Sequence, residues 1–406
     1  MREKPSFYVA LTPIIFMMIV LVVGIGVMGW PASVCLLISA AFSCIIAMAK
    51  LKYTWDEIQG FIIDKISAVM APVLIVIFVG FMVATWSYAG TLPMLVYYGM
   101  LLVAPAWLYA IAFFLNAVLS YVSGASWGSV ASIGVALMGI GSGLHADLPI
   151  LAAAIVTGAY FGDKLSPLSD TTNLTSAVTK TKLYDLIKYL LWTTIPSTII
   201  SLLFFTWLGM IHTSTGSISP ESMQMLVQLK ELYKFGLLPL LPMLIVLCFT
   251  FLRLPTVPAL LSSAFVAVLV GWLYQGFPLA EGIKATMSGF RLTMITDSTM
   301  LLPSVKELLE QGGLNNQGGF LSFIICAMMF AGILTGTGMM DVTLQSAANK
   351  IKSAFGAILA SGVLAIIINL LTGSDGLNKI VISELMMKKF EDLNLSPLVL
   401  ARTLED

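Results

Sequence analysis

Gly162-Asp163-Lys164-Leu165-Ser166-Pro167-Leu168-Ser169-Asp170-Thr171-Thr172-Asn173 is a polar island between two long apolar segments. It gathers three charged residues, five side chains bearing hydroxyl or amide groups, and a proline, in a chain that is 58% hydrophobic and only 10% charged. Pro167 lacks a backbone donor and disfavours helical geometry at Ser166, so the chain is expected to break here and leave carbonyls and amides unpaired. Ionisable groups inside a bilayer are costly and lie where ions or substrates pass. A broken helix carrying Asp, Ser, Thr and Asn is a way to build a small-cation site.

The rest of the chain supplies the membrane context. A mean hydropathy of +0.96 over 406 residues excludes an ordinary soluble protein. Apolar runs recur at Val9–Met28, Ala32–Met48, Ala68–Val83, Tyr189–Met210, Val257–Leu273 and Phe320–Leu334. Most reach or approach the ~20 residues that cross a ~30 Å hydrocarbon core, and hydropathy counts roughly ten spans. These runs lack the period-two polarity of barrel strands, so the expected fold is an all-α polytopic membrane protein. The first run follows Arg2 and Lys4 but is too long for a signal-peptide core, and reads as a retained helix. If the first two spans form a hairpin at Trp30-Pro31, Arg2 and Lys4 share a side with Lys50, Lys52 and Lys65, which places the N-terminus in the cytoplasm.

Net charge is zero, which gives no electrostatic case for nucleic acid. Cys35, Cys44, Cys248 and Cys326 lie in apolar segments without C-x-x-C spacing and read as small apolar side chains. His145 and His212 are isolated, near span ends. No cofactor is expected, and no metal beyond a transported ion.

The organisation is a transmembrane half at 1–210, a polar linker at 211–235 with one short amphipathic helix, and a second transmembrane half at 236–406. Weak internal similarity suggests a repeat. Phe78 to Thr85, leading to Ala89-Gly90-Thr91, matches Phe330 to Thr335, leading to Thr337-Gly338-Met339. Ser123-Gly124-Ala125-Ser126 matches Thr372-Gly373-Ser374-Asp375, each after an apolar run holding an asparagine, Asn116 or Asn369. An inverted repeat with broken or re-entrant helices is the expected arrangement, because inversion is the commoner solution where broken helices meet at the midplane.

Within the island, Asp163, Ser166, Ser169, Asp170, Thr171, Thr172 and Asn173 are the candidate ion ligands. A hard cation needs several oxygens and one neutralising carboxylate, and the same carboxylate can take a proton instead. The bland alternative is an interfacial turn, since Asp, Ser, Pro and Asn favour turns. Lys164 is a candidate ion-pair partner of Asp163 in the empty state, leaving Asp170 as the proton carrier. Secondary candidates are Ser123 and Ser126, in the small-residue stretch that continues through Trp127-Gly128-Ser129 to Gly143, and which also suits helix packing. Trp127 is bulky among small neighbours, as for a plug or cavity wall. In the second half, Asp375 is the stronger acid candidate and Asp297 the weaker. Arg291 and Arg253 have the chemistry to hold an organic carboxylate, although arginines more often anchor span ends.

The island resembles the signature of the NhaC family of sodium/proton antiporters, which most often has Met where Leu165 stands. Thr85-Trp86 with Ala89-Gly90-Thr91, Ser126-Trp127-Gly128, and Glu307-Leu308-Leu309 with Gly312-Gly313-Leu314 extend the likeness over nearly the whole chain. The resemblance implies secondary antiport of Na+ and H+ in the bacterial inner membrane, within a superfamily of inverted repeats with re-entrant hairpins. The family also includes sodium–lactate/malate exchangers, so a Na+/H+-coupled organic-acid antiporter is the alternative. Members usually continue past Arg402-Thr403-Leu404-Glu405-Asp406 into a further Ser/Thr/Pro-rich segment, so the second half is expected to be incomplete. No H-E-x-x-H motif and no pair of histidines argues for an enzyme. The lipid bilayer is the surrounding partner, and a homodimer is an assembly compatible with the sequence.

Overall fold

The computed structural model describes residues 5–124, 126–167, 169–212, 220–252, 254–296, 301–348, 353–372 and 375–406. Among the described residues there is no strand; the elements are α-helices with short 3-10 and π turns. The chain begins with α1 (Phe7–Gly26), α2 (Ala32–Ala49), α3 (Trp55–Ala68), α4 (Met70–Ala89) and α5 (Thr91–Leu102). Next come α6 (Leu108–Ser123), α7 (Ser126–Ser129), α8 (Val135–Gly143), α9 (Leu148–Leu165), α10 (Asp170–Val178) and α11 (Leu183–His212). Then follow α12 (Pro220–Leu232), α13 (Leu241–Phe251), α14 (Thr256–Val270), α15 (Leu279–Ser288) and α16 (Pro303–Leu309). The last five are α17 (Gly318–Gly336), α18 (Met339–Ala348), α19 (Ala354–Thr372), α20 (Asp375–Asp392) and α21 (Pro397–Glu405).

Among the described residues, seven helices are long and apolar enough to cross a membrane, or eight if the bent pair of α3 and Val73–Ala89 is one span. Three shorter apolar helices, Thr91–Leu102, Leu238–Phe251 and Ala354–Asn369, accompany them. Hydropathy counts these segments toward roughly ten spans. The lipid-facing surface is apolar. Trp192, Ile200 and Leu203 of α11 are 79%, 66% and 65% exposed, a surface that water would not tolerate and a bilayer requires. The protein is a multi-pass membrane protein.

The chain forms two compact units, each from separate stretches. One comprises Met1–Val73, Asn173–Tyr189 and Gly318–Asp406. At its centre α17 packs against α2 and α3, burying Ile58, Ile62, Phe330, Ile333 and Leu334. Small residues permit that approach: a Cβ on Gly332 would stand 2.7 Å from the Phe61 carbonyl oxygen. Lys50 and Lys52 lie in the loop between α2 and α3. Lys65 does not share that end; it is buried, 6% exposed, within α3, about 15 Å of helix from Trp55. Packing against α17 draws it inward. Cys35 is buried as a small apolar side chain, whereas Cys248, in the other unit, is exposed.

That other unit comprises Leu74–Thr172 and Leu190–Gln317. Its tightest helix pair is α6 with α9. The amphipathic helix expected in the linker is α12, which buries Met225, Leu226 and Leu229 and leaves Lys230 and Glu231 exposed. Gln275, in the π turn after α14, ties this region together. Its Nε2 donates to the carbonyls of Ala89 and Lys234, both at 3.0 Å, and its Oε1 accepts from the Lys234 amide at 2.9 Å. Each bond is worth about 1 kcal/mol net, and loss leaves backbone groups unpaired. Gln275→Leu is therefore expected to destabilise the protein by about 2–4 kcal/mol, read as a lowered melting temperature in detergent with helix content unchanged below the transition.

Two of the internally similar stretches share local geometry. Gly90, between α4 and α5, has φ +79°, and Gly338, between α17 and α18, has φ +73°. Both are helix–glycine–helix joints in the left-handed region, where glycine carries no Cβ penalty. Ahead of each joint a threonine, Thr85 or Thr335, donates to carbonyls three and four residues back. The matched asparagines differ: Asn116 is buried and Asn369 exposed.

Candidate functional site

The island follows directly from α9. Asp147 caps the helix, accepting from the Ile150 amide at 3.2 Å, with a proline in the first turn. Leu151, Ala154, Ile155, Gly158, Ala159, Gly162 and Asp163 form its buried stripe. The two glycines press against the backbone of α6. A Cβ on Gly158 would stand 2.1 Å from the Phe113 carbonyl oxygen, and one on Gly162 the same distance from that of Ala117. Asp163 lies on this stripe and is 5% exposed, which holds a carboxyl group in the helix-packed interior.

The break falls where the Ser-Pro pair requires it. The last helical residue is Leu165, and Ser166 is extended at φ −76° and ψ 126°. The Ser166 amide turns back to the Asp163 carbonyl at 2.9 Å, and the Ser169 amide to the Ser166 carbonyl at 3.2 Å. Ser169 then starts α10: its Oγ accepts from the Thr172 amide at 3.4 Å and lies 2.9 Å from Thr171 Oγ1. Thr172 Oγ1 donates to the Lys164 carbonyl at 3.3 Å, satisfying one of the acceptors that a helix end leaves open. The carbonyl end of α9 and the amide end of α10 thus meet at one point, offering acceptor oxygens on one side and positive dipole on the other.

Burial separates the sequence candidates. Asp163, Ser166, Ser169 and Thr172 are all buried, Thr171 and Lys164 half-buried, and Asn173 exposed. Asp170 is the first residue of α10, but its side chain lies outside the described residues. The apolar cavity of about 290 Å³ between α8, α9 and neighbouring helices is lined by Val130, Gly134, Ser142, Ile155 and Gln311 among others, and by none of the island residues.

Of the secondary candidates, Ser126 is buried in α7, while the side chain of Ser123 lies outside the described residues. Their neighbour Ser129 is the better-anchored hydroxyl: its Oγ donates to Asn116, whose Oδ1 is 2.9 Å away, just before the π turn Val130–Gly134. Such π turns recur at functional sites. Trp127 is 48% exposed. Asp375 opens α20, but its side chain, like Asp297 and Arg253, lies outside the described residues; Arg291 is exposed.

Sequence reading missed one buried polar group. Glu405 of α21 and Lys379 of α20 form an ion pair at 2.8 Å with side chains 3% and 2% exposed. Thr175 of α10 also donates to Glu405. The segment from Asp375 to Asp406 is rich in charge, and its composition does not mark which charges are buried. The available signal was the apolar spacing Leu400, Ala401, Leu404, which puts Glu405 at the edge of a buried stripe.

Residues 158–406 match the model of the Na+/H+ antiporter family, a match that begins four residues before the island. An uncharacterized Na+/H+ antiporter of Haemophilus influenzae is 36% identical over 405 residues, covering 100% of this chain and 86% of its own. The Na+/H+ antiporter NhaC of Alkalihalophilus pseudofirmus is 32% identical, over 93% of this chain and 79% of its own. The arginine/ornithine antiporter ArcD of Halobacterium salinarum is 34% identical, over 100% and 83% respectively. With a buried acid beside a broken membrane helix and relatives alike over nearly all of this chain, the chain belongs to the Na+/H+ antiporter family, a family of membrane transporters and not of enzymes.

Proposed function

We propose that this protein exchanges Na+ for H+ across the bacterial inner membrane by alternating access, at the joint between α9 and α10. The observation that carries this reading is the burial of Asp163 with Ser166, Ser169 and Thr172 at a proline-enforced helix break. Asp163 supplies the neutralising charge for Na+. The buried hydroxyls, with Thr171 and Asn173, supply neutral oxygens. Asp170 carries the proton, and Lys164 holds Asp163 when the site is empty. Because Na+ and H+ compete for carboxylates, each leaves as the other enters, and the bound charge stays nearly constant.

The halves at 1–210 and 236–406 are read as repeats. In support, the matched glycine joints at Gly90 and Gly338 share their backbone conformation, and each compact unit draws chain from both halves. The basic residues Arg2, Lys4, Lys50 and Lys52 favour a cytoplasmic N-terminus.

A second reading, exchange of an organic ion coupled to Na+ and H+, is favoured by the likeness of this whole chain to an arginine/ornithine antiporter. One experiment separates the two. Protein in liposomes with a lumenal pH dye receives Na+ under an imposed pH gradient, with and without arginine, ornithine, malate or lactate. Rapid Na+-dependent dissipation that the organic ions do not alter is the expected result. Flux that requires an organic ion would replace the first reading with the second.

A further inference from the structure

Where α3 packs on α17, a cavity of about 350 Å³ remains between the two helices. Asp64, Lys65 and Ala68 line it from α3, and Gly332, Thr335 and Gly336 from α17. Ala68 follows Lys65 by three residues and Asp64 by four, and the α17 residues have the same spacing, so one face of each helix forms the wall. Small residues open the space. A Cβ on Gly332 would stand 3.1 Å from that of Lys65, so the lysine stem enters directly opposite a glycine. The volume falls among those of small-molecule sites, about 300–1,000 Å³. All of these residues belong to the unit built from Met1–Val73, Asn173–Tyr189 and Gly318–Asp406, and none to the island's buried set.

The polar groups of this cavity differ in what they can bind. Lys65 is 6% exposed, and its Nζ is buried with no hydrogen-bond partner among the described residues. Asp64 is exposed, at the rim. Thr335 commits its hydroxyl proton to the carbonyls of Ala331 and Gly332, at 2.8 and 3.3 Å, so its oxygen is left only to accept. A buried ammonium without a counter-charge is strongly disfavoured, and an anionic group entering the cavity would relieve it. An anion alone would also meet the Asp64 carboxylate. A ligand with a positive group beside its negative one satisfies both residues.

We infer that the cavity between α3 and α17 binds a compact zwitterion, an anionic group joined through a few bonds to a primary ammonium. The anionic group takes the Lys65 ammonium, whose flexible four-carbon stem lets it turn to the cavity wall. The ligand's ammonium takes the Asp64 carboxylate, with Thr335 Oγ1 as a further acceptor. Each charge of the ligand then meets its opposite, and Lys65 gains the partner that the protein does not supply. A free α-amino acid has this chemistry, and so has the ethanolamine headgroup of a phospholipid. The inference does not depend on which ion the island exchanges.

The test is calorimetric titration of purified full-length protein in detergent with glycine, glycerophosphoethanolamine, acetate and methylammonium. Saturable binding of a zwitterion is expected, with acetate and methylammonium, which carry one charge each, about tenfold weaker or more. Lys65→Met keeps an unbranched stem without the charge, and is expected to weaken the zwitterion about a hundredfold. A neutral side chain is cheaper to bury than an unpaired ammonium, so this variant is expected to keep its size-exclusion profile. Asp64→Asn, at an exposed position, is expected to weaken the zwitterion about tenfold and acetate not at all. The tighter of the two zwitterions names the source, glycerophosphoethanolamine for a lipid headgroup and glycine for a free amino acid, and either supports the site. Acetate binding as tightly as the better zwitterion would overturn the proposal. So would undiminished binding in Lys65→Met, or the absence of saturable binding by both zwitterions.

Discussion

Asp163→Asn is expected to lower Na+-driven proton movement in liposomes at least a hundredfold while the protein still inserts and folds. Asn keeps the size and one acceptor oxygen of Asp163, and it removes a charge from a position that is 5% exposed. Holding Na+ there without a counter-charge forfeits several kcal/mol, and each 1.4 kcal/mol is about a factor of ten. The neutral side chain is cheaper to bury than a carboxylate, so the fold is expected to survive the substitution. The check is the initial rate of dye response at matched protein per liposome. Wild-type exchange in the variant would remove Asp163 from the site. Proton competition also fixes the sign of a pH effect: apparent Na+ affinity falls as pH drops through the carboxyl titration, by about tenfold per pH unit at the limit. Asp170→Asn is expected to separate the two roles, retaining Na+ binding and losing proton coupling.

Gly162→Ala is the second large effect, and it acts through geometry alone. The added Cβ would stand 2.1 Å from the Ala117 carbonyl oxygen and 2.7 Å from the Tyr121 amide nitrogen. Both are backbone atoms of α6, so no side chain can turn away, and α9 must retreat by about 1 Å to reach ordinary contact. Overpacking of this kind costs about 1–3 kcal/mol. The retreat carries Asp163, the next residue, out of register with Ser166, Ser169 and Thr172. A displacement near 1 Å at a positioned group costs about a hundredfold in rate, so exchange should fall by one to two orders of magnitude. The control is Gly60→Ala in α3, where nothing lies within 4 Å of the added Cβ. There alanine removes a helix-interior glycine and is expected to stabilise by about 0.5–1 kcal/mol. Equal losses in the two variants would show that α6–α9 contact does not set the site.

The features legible in the sequence are those decided within a few residues. Ser166-Pro167 ends α9 after Leu165 because the proline ring clashes with helical geometry at the residue before it, whatever surrounds it. All six apolar runs are helices, because a backbone in hydrocarbon must satisfy its own hydrogen bonds. The family likeness was carried by the island itself, within the region that the family model matches.

Tertiary structure decided what depends on contacts between distant segments. Lys65 reads as one more basic residue near a span end, and packing of α3 on α17 buries it. Within the island, composition gives seven oxygen-bearing residues equal standing; the direction each faces from α9 and α10 buries Asp163, Ser166, Ser169 and Thr172 and exposes Asn173. Lys379 and Glu405 carry no local sign of burial, and become a buried pair only because α20 and α21 fold together beside α10. Helix breaks and membrane spans are written locally, in backbone sterics and transfer free energy. Burial of a charge is a property of its neighbours, and those neighbours come from elsewhere in the chain.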